Sequence, residues 1–283
     1  MERRRRLPMR RTVLIFVCTA TLVATLLAAP AAEAALKTIR GNGRANTLRG
    51  TARAERLLGL GGNDRLYGHG GNDVLDGGAG SNYLHGGKGD DLLIASKGAN
   101  VYDGGSGNDV LDFSGLDGTL SADVSKHTAS VTSAGGEVVS SATFKSVETI
   151  VGGKGDDTFV GNSHDNAFAG GAGNDTFRGK GGADTFTGGE GSDTFVWYKK
   201  DVKDGLADHI TDFNAKEDHF DFSDFLKGSG IKNVTLDDVI HVKDMADGSM
   251  IQAHLKDGGW VDVVQLDGVH LDAAHLHDVL MHH

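Results

Sequence analysis

The sequence predicts an all-β fold, a parallel β-roll (β-solenoid) with two repeat blocks, a β spacer between them and a C-terminal β-rich cap. Three observations carry this prediction. Glycine and aspartate recur with a period of nine residues in two runs, and one apolar residue holds the same place in each period. The chain also has 43 glycines but only 2 prolines among 283 residues. Such a fixed period is typical of a solenoid and not of a flexible linker.

Residues 1–34 are predicted to be a signal peptide and no part of the fold. Arginines at 3–6, 10 and 11 precede an apolar stretch over residues 12–29, and Ala32-Glu33-Ala34 fits the small-residue rule for cleavage. Arg10-Arg11 also resembles a twin-arginine signal, but we favour the general secretion route because it exports unfolded chains. The protein is therefore expected to be secreted and extracellular, and not an integral membrane protein after cleavage.

The net charge and the cysteine content bear on two questions: whether the protein binds nucleic acid and what stabilises its fold. Cleavage removes 6 of the 28 basic and 2 of the 39 acidic residues, so the mature chain carries 22 minus 37, a net charge of −15. The acidity of the mature chain argues against nucleic acid as a partner, because phosphate contacts need a basic face. Cleavage also removes Cys18, the only cysteine. A secreted chain without disulfides needs another source of stability, and a bound metal is the natural substitute.

The nine-residue period is clearest in two blocks. The first block runs from Gly41 to Asp112, and the second runs from Gly152 to Val196. The best copies are Gly68–Asp76 (GHGGNDVLD), Gly86–Ile94 (GGKGDDLLI), Gly104–Asp112 (GGSGNDVLD), Gly170–Arg178 (GGAGNDTFR) and Gly188–Val196 (GGEGSDTFV). All five copies have glycine at positions one and four, aspartate at position six and an apolar residue at position eight, and four of the five also have glycine at position two, where the first copy has His69.

Each position has a physical reason. Glycine tolerates left-handed backbone angles, and its carbonyl oxygen can point inward at a cation. Aspartate at position six adds a hard carboxylate, and calcium prefers about six to eight oxygen ligands. Positions seven to nine should form a short strand with position eight inward. That apolar column is Leu48, Leu57, Leu66, Leu75, Leu84, Leu93, Tyr102 and Leu111, then Phe159, Phe168, Phe177, Phe186 and Phe195. One apolar residue in nine makes a thin core. Metal binding must therefore supply the remaining free energy that offsets the conformational entropy lost on folding.

These nonapeptides resemble the calcium-binding repeats of the repeats-in-toxin (hemolysin-type) family over about half of the mature chain. The resemblance implies that two nonapeptides form one coil and that Ca²⁺ lies between turns two periods apart. It therefore implies the pairs Asp73–Asp91, Asp91–Asp109, Asp157–Asp175 and Asp175–Asp193, with weaker mixed pairs Asp64–Asn82 and Asn166–Asp184. Asn100 is a doubtful partner of Asn82. In the C-terminal region, residues 208–213 and 218–222 resemble a segment that caps the last turn and often adds a calcium site, and Asp208 and Asp212 are its candidate ligands.

The first two periods depart from the pattern. Position six holds Asn46 and then Glu55, and arginines occupy position four at residues 44 and 53. Positive side chains repel calcium, so this end is expected to be a solvated cap that binds little of it. A patch that binds polysaccharide or a cell surface is the functional alternative.

The predicted domains are the signal peptide 1–34, the first calcium-binding roll with its basic cap 35–112, the spacer 113–151, the second roll 152–196 and the capping region 197–283. Alternation around Ala122 and Val131 predicts a small hairpin within the spacer. Alternation over residues 261–266 predicts strands that close the open end of the solenoid.

No catalytic constellation is present in the sequence. It contains no His-Glu-x-x-His, no Gly-x-Ser-x-Gly, and no cysteine after cleavage. We therefore expect a non-enzymatic calcium-binding module. The alternatives are an accessory or degenerate relative of an extracellular hydrolase of this family and a calcium-dependent adhesin that binds polysaccharide.

Overall fold

The computed structural model describes residues 36–202, 205–226, 238–255 and 259–281. Two long sheets face each other across a narrow core, and most of their strands run parallel. The predicted signal peptide lies outside the described residues. Within the described part of the chain, no helix has the length and apolar character needed to cross a membrane.

Sheet 1 has twelve strands. In spatial order they are β1 (Lys37–Asn42), β3 (Glu55–Leu60), β5 (Val74–Asp76), β7 (Leu92–Ile94), β9 (Val110–Asp112), β13 (Thr149–Val151), β15 (Ala167–Ala172), β17 (Thr185–Glu190), β19 (Asp208–Ile210), β23 (Gly259–Asp267), β22 (Gly248–Leu255) and β21 (Ile240–Met245).

Sheet 2 has eleven strands. In spatial order they are β2 (Thr47–Arg49), β4 (Arg65–Gly70), β6 (Tyr83–Lys88), β8 (Gly98–Ser106), β12 (Val138–Lys145), β11 (Thr128–Thr132), β10 (Thr119–Asp123), β14 (Thr158–Val160), β16 (Thr176–Arg178), β18 (Thr194–Val196) and β20 (His219–Asp221). The described residues also form two short helices, α1 (Ser223–Leu226) and α2 (Ala273–Val279).

The strand register follows the repeat. Leu57 pairs with Leu75 in sheet 1, and Leu66 pairs with Leu84 in sheet 2, so neighbouring strands of a sheet are two periods apart. Successive nonapeptides therefore alternate between the sheets, because each six-residue turn carries the chain from one sheet to the other. The predicted parallel β-roll is confirmed.

The apolar column forms the core. Position eight is almost completely buried from Leu57 to Phe195, whereas Leu48 in the terminal coil is only partly buried. Leucine dominates the first block and phenylalanine the second. The ring of Phe177 stacks between Phe159 and Phe195, with centroid distances of 5.1 and 5.2 Å and nearly parallel planes. Such offset rings add attraction beyond the area that they bury.

The spacer continues both sheets. The predicted hairpin is present as β10 and β11, and β12 extends it into a three-stranded meander. In sheet 2 the meander bridges the blocks, because β12 pairs with β8 and β10 pairs with β14. In sheet 1, β13 pairs with β9 on one side and with β15 on the other. The two blocks are thus stacked through β13, and the solenoid is continuous.

The C-terminal region completes both sheets. β19 and β20 add one further parallel strand to sheet 1 and sheet 2, respectively. β23 then pairs with β19, and β22 and β21 follow as an antiparallel meander. The predicted strand at residues 261–266 is therefore present within β23. The rings of Phe213, Phe220 and Phe222 continue the apolar column beyond the last repeat.

Candidate calcium sites

The aspartates at position six form ladders along the turns. The backbone N–H of Asp73 donates to Oδ1 of Asp91 at 2.8 Å, and that of Asp91 donates to Oδ1 of Asp109 at 2.9 Å. In the second block the N–H of Asp157 donates to Asp175 at 2.7 Å, and that of Asp175 donates to Asp193 at 2.8 Å. Each of these bonds spans 18 residues, so the structure brings together the four aspartate pairs expected from the sequence.

The second carboxylate oxygen of most of these residues is buried and accepts no hydrogen bond. This holds for Oδ2 of Asp64, Asp73, Asp91, Asp109, Asp175 and Asp193, all at most 1% exposed. A buried acceptor without a partner costs free energy, and more so when it is charged. A proton or a cation that binds this oxygen would therefore stabilise each of these turns.

Carbonyl oxygens converge on the same places. A Cβ built on Gly68 would lie 2.5 Å from the carbonyl oxygen of Gly86 and closer still to Oδ2 of Asp73. A Cβ built on Gly86 would lie 2.6 Å from the carbonyl oxygen of Gly104 and would likewise meet Oδ2 of Asp91. The space that glycine leaves open at position one is therefore bounded by carboxylate and carbonyl oxygens from two stacked turns. Hard oxygen donors of this kind fit Ca²⁺.

The electrostatics of the turns agree with this geometry. Burial raises the pKa of Asp91 to about 7, and the neighbouring charges of Asp109 and Asp73 add to the rise. Burial likewise raises the pKa of Asp175 to about 8, with Asp157 and Asp193 as its charged neighbours. In a protein without metal these turns hold protons at a pH where ordinary aspartates are ionised, because burial, and after it the repulsion between stacked carboxylates, disfavours the charged form.

In the turns with asparagine at position six, the side chain makes hydrogen bonds that the aspartate turns lack. Oδ1 of Asn82 takes the ladder bond from the N–H of Asp64 at 2.9 Å, and its Nδ2 donates to the carbonyl oxygen of Gly78 in its own turn at 3.1 Å. Asn100 likewise accepts from the N–H of Asn82 and donates to the carbonyl oxygen of Ser96 at 2.9 Å. In these turns an amide N–H occupies the place where the aspartate turns have an unpaired oxygen.

In the second block, one asparagine turn and one aspartate turn share a ladder. The N–H of Asn166 donates to Oδ1 of Asp184 at 2.8 Å, as expected for this mixed pair. Oδ1 of Asn166 accepts from the N–H of Asn162 in its own turn at 2.9 Å. The next step of the ladder runs from the N–H of Asp184 to Oδ1 of Asp208, also at 2.8 Å.

Four carboxylates at the ends of the second block, those of Asp157, Asp208, Asp212 and Asp218, accept bonds on both oxygens. Oδ2 of Asp157 accepts from the N–H of Gly153, and Oδ2 of Asp208 accepts from the indole N–H of Trp197, both at 2.7 Å. The exposed Asp212 accepts from the N–H groups of Gly188 and Gly189 at 2.9 and 3.0 Å. Asp208 and Asp212 therefore both lie against the last turns, as the capping prediction requires.

Asp218 lies in the predicted capping segment but was not among the predicted calcium ligands. It accepts from the N–H of Asp193 at 3.0 Å on Oδ1, and from the N–H of Asn214 at 2.7 Å on Oδ2. It thus completes the ladder of Asp157, Asp175 and Asp193. The 18-residue spacing is broken here, because Asp218 follows Asp193 by 25 residues. The phenylalanine two residues after each of these aspartates was the available signal.

In the basic cap, the carboxylate at position six already has hydrogen-bond donors and needs no metal. Thr51 donates to both oxygens of Glu55, from its N–H at 2.8 Å and from its hydroxyl at 2.6 Å. Burial favours the neutral acid, but these bonds and the charges of Lys37 and Arg53 outweigh it and lower the pKa of Glu55. The carboxylate at this turn is therefore ionised and already paired.

A second ladder, at position five, was also missed. Oδ1 of Asn72 accepts from the N–H of Asp90 at 3.0 Å, and Oδ1 of Asp90 accepts from the N–H of Asn108 at 2.9 Å. These side chains reach toward the next coil, whereas those at position six reach back to the previous one. The recurrence of Asn or Asp at position five was a readable signal for this ladder.

Within the part of the chain that the structure describes, side chains alone do not make a metal site. Among the residues that the structure describes, no three His, Cys, Asp or Glu side chains converge closely enough to hold a metal ion. The candidate sites depend instead on backbone carbonyl oxygens, with one carboxylate from each turn.

Comparison with known proteins places the chain in a family. Residues 63–254 match the family described as Peptidase M10 serralysin C terminal. The solution structure of the AlgE6R3 subunit from the Azotobacter vinelandii mannuronan C5-epimerase is 21% identical, with a TM-score of 0.21, and the match covers 87% of this chain and 83% of that one. The crystal structure of the extracellular lipase LipA from Serratia marcescens is 19% identical, with a TM-score of 0.25, over 87% of this chain but only 40% of the lipase.

No curated protein sequence matches the chain. The family match spans more than half of the chain and covers the second repeat block and the first block from residue 63 onward. On the repeats, their β-roll and this match, the chain belongs to the family of the serralysin C-terminal domain, which carries the calcium-binding repeats of the repeats-in-toxin class.

Proposed function

We propose that this protein is a secreted, non-catalytic calcium-binding module whose β-roll folds when Ca²⁺ binds between stacked glycine and aspartate turns. One observation carries the proposal. Six buried aspartates each present a carboxylate oxygen with no hydrogen-bond donor, and glycine carbonyl oxygens border the same spaces. A divalent cation would satisfy both kinds of oxygen at once.

The aspartate turns are the proposed ligands. Asp73, Asp91 and Asp109 would hold calcium in the first block, and Asp175 and Asp193 would do so in the second. Asp64, Asp157, Asp184, Asp208 and Asp212 are weaker candidates, because each lies in a mixed ladder or already accepts bonds on both oxygens. The turns of Asn82 and Asn166 are proposed to bind no ion, since their side chains are satisfied by hydrogen bonds within their own turns.

Coupling of folding to calcium follows from the charge of the turns. Without metal, the stacked carboxylates must either carry protons or repel one another in a buried site. The apolar column contributes only one large side chain per nine residues, which leaves little surplus over chain entropy. Metal binding in such a protein supplies folding free energy. We expect affinities in the range of extracellular calcium modules, with dissociation constants on the order of 10⁻⁴–10⁻³ M.

Secretion is supported by the composition of residues 1–34. The basic start, the apolar stretch and the small residues before position 35 are the parts of a cleavable signal. An extracellular setting also supplies the millimolar calcium that weak sites need.

Circular dichroism of the mature chain tests calcium-coupled folding. We expect a largely disordered chain in chelator and a gain of β-structure on adding millimolar calcium. Magnesium should substitute poorly, because it demands tighter octahedral geometry and sheds water reluctantly. Identical spectra with chelator and with calcium would refute the proposal.

A second candidate function, binding of an acidic polysaccharide, is favoured by the outer face of sheet 2. Leu66 is buried, so its neighbours in β4 point outward. The Arg49 guanidinium lies 4.6 Å from the centre of the Tyr67 ring, and the rings of Tyr83 and His85 lie 5.9 and 6.3 Å from that ring. Flat rings can stack on sugar faces, and a cation beside them attracts carboxylates.

The charge distribution supports an anionic ligand there. The mature chain is strongly acidic, yet arginines at 40, 44, 49, 53, 56 and 65 concentrate at this end. Affinity electrophoresis in polygalacturonate, with neutral dextran as the control gel, would test it at a fixed free calcium concentration. Arg49→Ala and Tyr67→Ala should abolish retardation, whereas Lys243→Ala, an exposed lysine on β21, should not. Equal retardation of all three variants would exclude this face as the binding site.

A further inference from the structure

The last turn of the first block does not stack on another repeat turn. It stacks on a short connection within the spacer. Lys145 pairs with Asp103, and Thr149 pairs with Val110. The last coil of the first block crosses from one sheet to the other with residues 104–109, whereas the spacer makes the same crossing with residues 146–148 alone. The connection lacks the glycine pattern, so the sequence repeat assigns no site to it.

Glu148 performs the role of position six in this connection. The N–H of Asp109 donates to Oε2 of Glu148 at 2.8 Å, as the N–H of Asp91 donates to Oδ1 of Asp109 one coil earlier. The N–H groups of Glu148 and Thr149 donate to the carbonyl oxygen of Asp109 at 3.1 and 3.0 Å. A glutamate suits this place because its longer side chain spans a connection that is three residues shorter.

The same connection brings a carbonyl oxygen against an unsatisfied carboxylate. Oδ2 of Asp109 has no hydrogen-bond partner, and Asp109 is fully buried. A Cβ built on Gly104 would lie 2.5 Å from that oxygen and would also meet the carbonyl oxygen of Ser146. Ser146 adopts a φ of +50°, a value that glycine takes more readily than serine. The backbone thus accepts a strained angle in the turn that supplies this oxygen.

We propose that Asp109, Ser146 and Glu148 form a further calcium site at the junction between the first block and the spacer. Oδ2 of Asp109 and the carbonyl oxygen of Ser146 are the ligands, and Glu148 supplies negative charge and holds the Asp109 backbone in place. The proposal rests on the proposed function, since it needs the aspartate turns to bind calcium. The proposal goes beyond that function because it places an ion between a repeat turn and a turn that lies outside the repeats.

The junction ion would couple the two blocks. Ser146 and Glu148 lead directly into β13, which pairs with β9 of the first block and β15 of the second. An ion held between Asp109 and this connection therefore fixes the start of the strand that joins both halves of sheet 1. Loss of the ion is expected to weaken the contact between the blocks while leaving the ions of each block in place.

Counting bound calcium in the full mature chain by native mass spectrometry tests the site. Glu148→Gln keeps the size of the side chain and an oxygen for the Asp109 N–H, and it should bind one ion fewer than the wild type. Gly104→Ala places a methyl group between the two ligand oxygens and should lose the same ion. Glu137→Gln, an exposed glutamate of the spacer, is the matched control and should keep the full count.

The thermal unfolding of the same variants gives a second readout. In saturating calcium, Glu148→Gln should separate the unfolding of the two blocks into two transitions, whereas Glu137→Gln should unfold like the wild type. A full calcium count in folded Glu148→Gln and folded Gly104→Ala would overturn the junction site and leave the proposed function intact. A wild type that binds no calcium would instead refute the proposed function itself.

Discussion

Asp73 and Asp91 lie one coil apart, and the backbone N–H of Asp73 donates to Oδ1 of Asp91 at 2.8 Å while Oδ2 of each side chain stays buried without a donor. One oxygen of each carboxylate therefore holds the coils in register, and the other remains for a cation. This division explains why aspartate recurs at position six. A neutral side chain can do the first task, but only a carboxylate offers a charged oxygen for the second.

Replacing Asp91 tests the shared ligands. Asp91 lies between Asp73 and Asp109 in the ladder, so it should serve two calcium ions, and Asp91→Ala should lose about two ions. Stability propagates between neighbouring coils of a solenoid, so much of the first block should loosen. The second block keeps its own ladder through Asp175 and should still order with calcium. Isothermal titration gives the count.

Glu55→Gln is the matched control for Asp91→Ala. Both oxygens of Glu55 already accept bonds from Thr51, so this turn should contribute no ion. Glu55→Gln should therefore leave the number of bound calcium ions almost unchanged. Equal losses of calcium in Asp91→Ala and Glu55→Gln would contradict either the pairing scheme or the assignment of the cap.

The metal-free protein should lose stability as the pH rises. Burial raises the pKa of Asp91 and of Asp109 to about 7 and that of Asp175 to about 8, whereas these groups titrate near 4 in an unfolded chain. Between these values the folded state binds more protons than the unfolded state. The stabilisation is therefore fully present below about pH 4 and is lost as the pH rises toward 8. Circular dichroism in calcium-depleted buffer should show more β-structure at pH 5 than at pH 8.

Calcium affinity should change in the opposite direction. Calcium needs the ionised carboxylates, so protons compete with it, and its binding should release protons. For a carboxylate with a pKa of about 7, the ionised fraction drops roughly tenfold from pH 8 to pH 6, and the affinity of a site should fall by about that factor per carboxylate. Calcium titrations at the two pH values measure the shift. A midpoint that does not move would show that the carboxylates are ionised before calcium arrives.

The sequence predicted the roll well because one short period encodes the strands, the turns and the core together. Leu57, Leu75 and Leu93 recur at position eight, and this spacing alone places them in one buried column. The sequence could not reveal the role of Glu148, because the spacer leaves the period and strand pairing over 39 residues fixes that contact. The place of Asp218 in the ladder, 25 residues after Asp193, was not predicted for the same reason. The contacts of Glu148 and Asp218 depend on the path of irregular connections, and the repeat pattern does not predict that path.

An aspartate at position 82 should create calcium dependence. Nδ2 of Asn82 donates to the carbonyl oxygen of Gly78, and Asn82→Asp replaces this donor with an oxygen. The buried turn would then contain two facing oxygens, at a cost of about 1–3 kcal/mol without metal. We expect at least one additional bound ion and a higher calcium concentration at the folding midpoint. Asn63→Asp adds the same charge at an exposed site whose Oδ1 accepts from Ser81, and it should change neither value.

The space in front of the position-one glycine should decide whether a turn can take an ion. A methyl group on Gly86 would lie 2.6 Å from the carbonyl oxygen of Gly104 and would meet Oδ2 of Asp91, both of them proposed calcium ligands. Gly86→Ala should therefore lower calcium affinity and destabilise the calcium-bound protein by more than about 1 kcal/mol. Gly43 has nothing within 4 Å of such a methyl group, so Gly43→Ala should stay within about 0.5 kcal/mol of the wild type. Chemical unfolding in saturating calcium compares the two variants. Equal stability would mean that the alanine side chain fits between the coils and that calcium does not use this space.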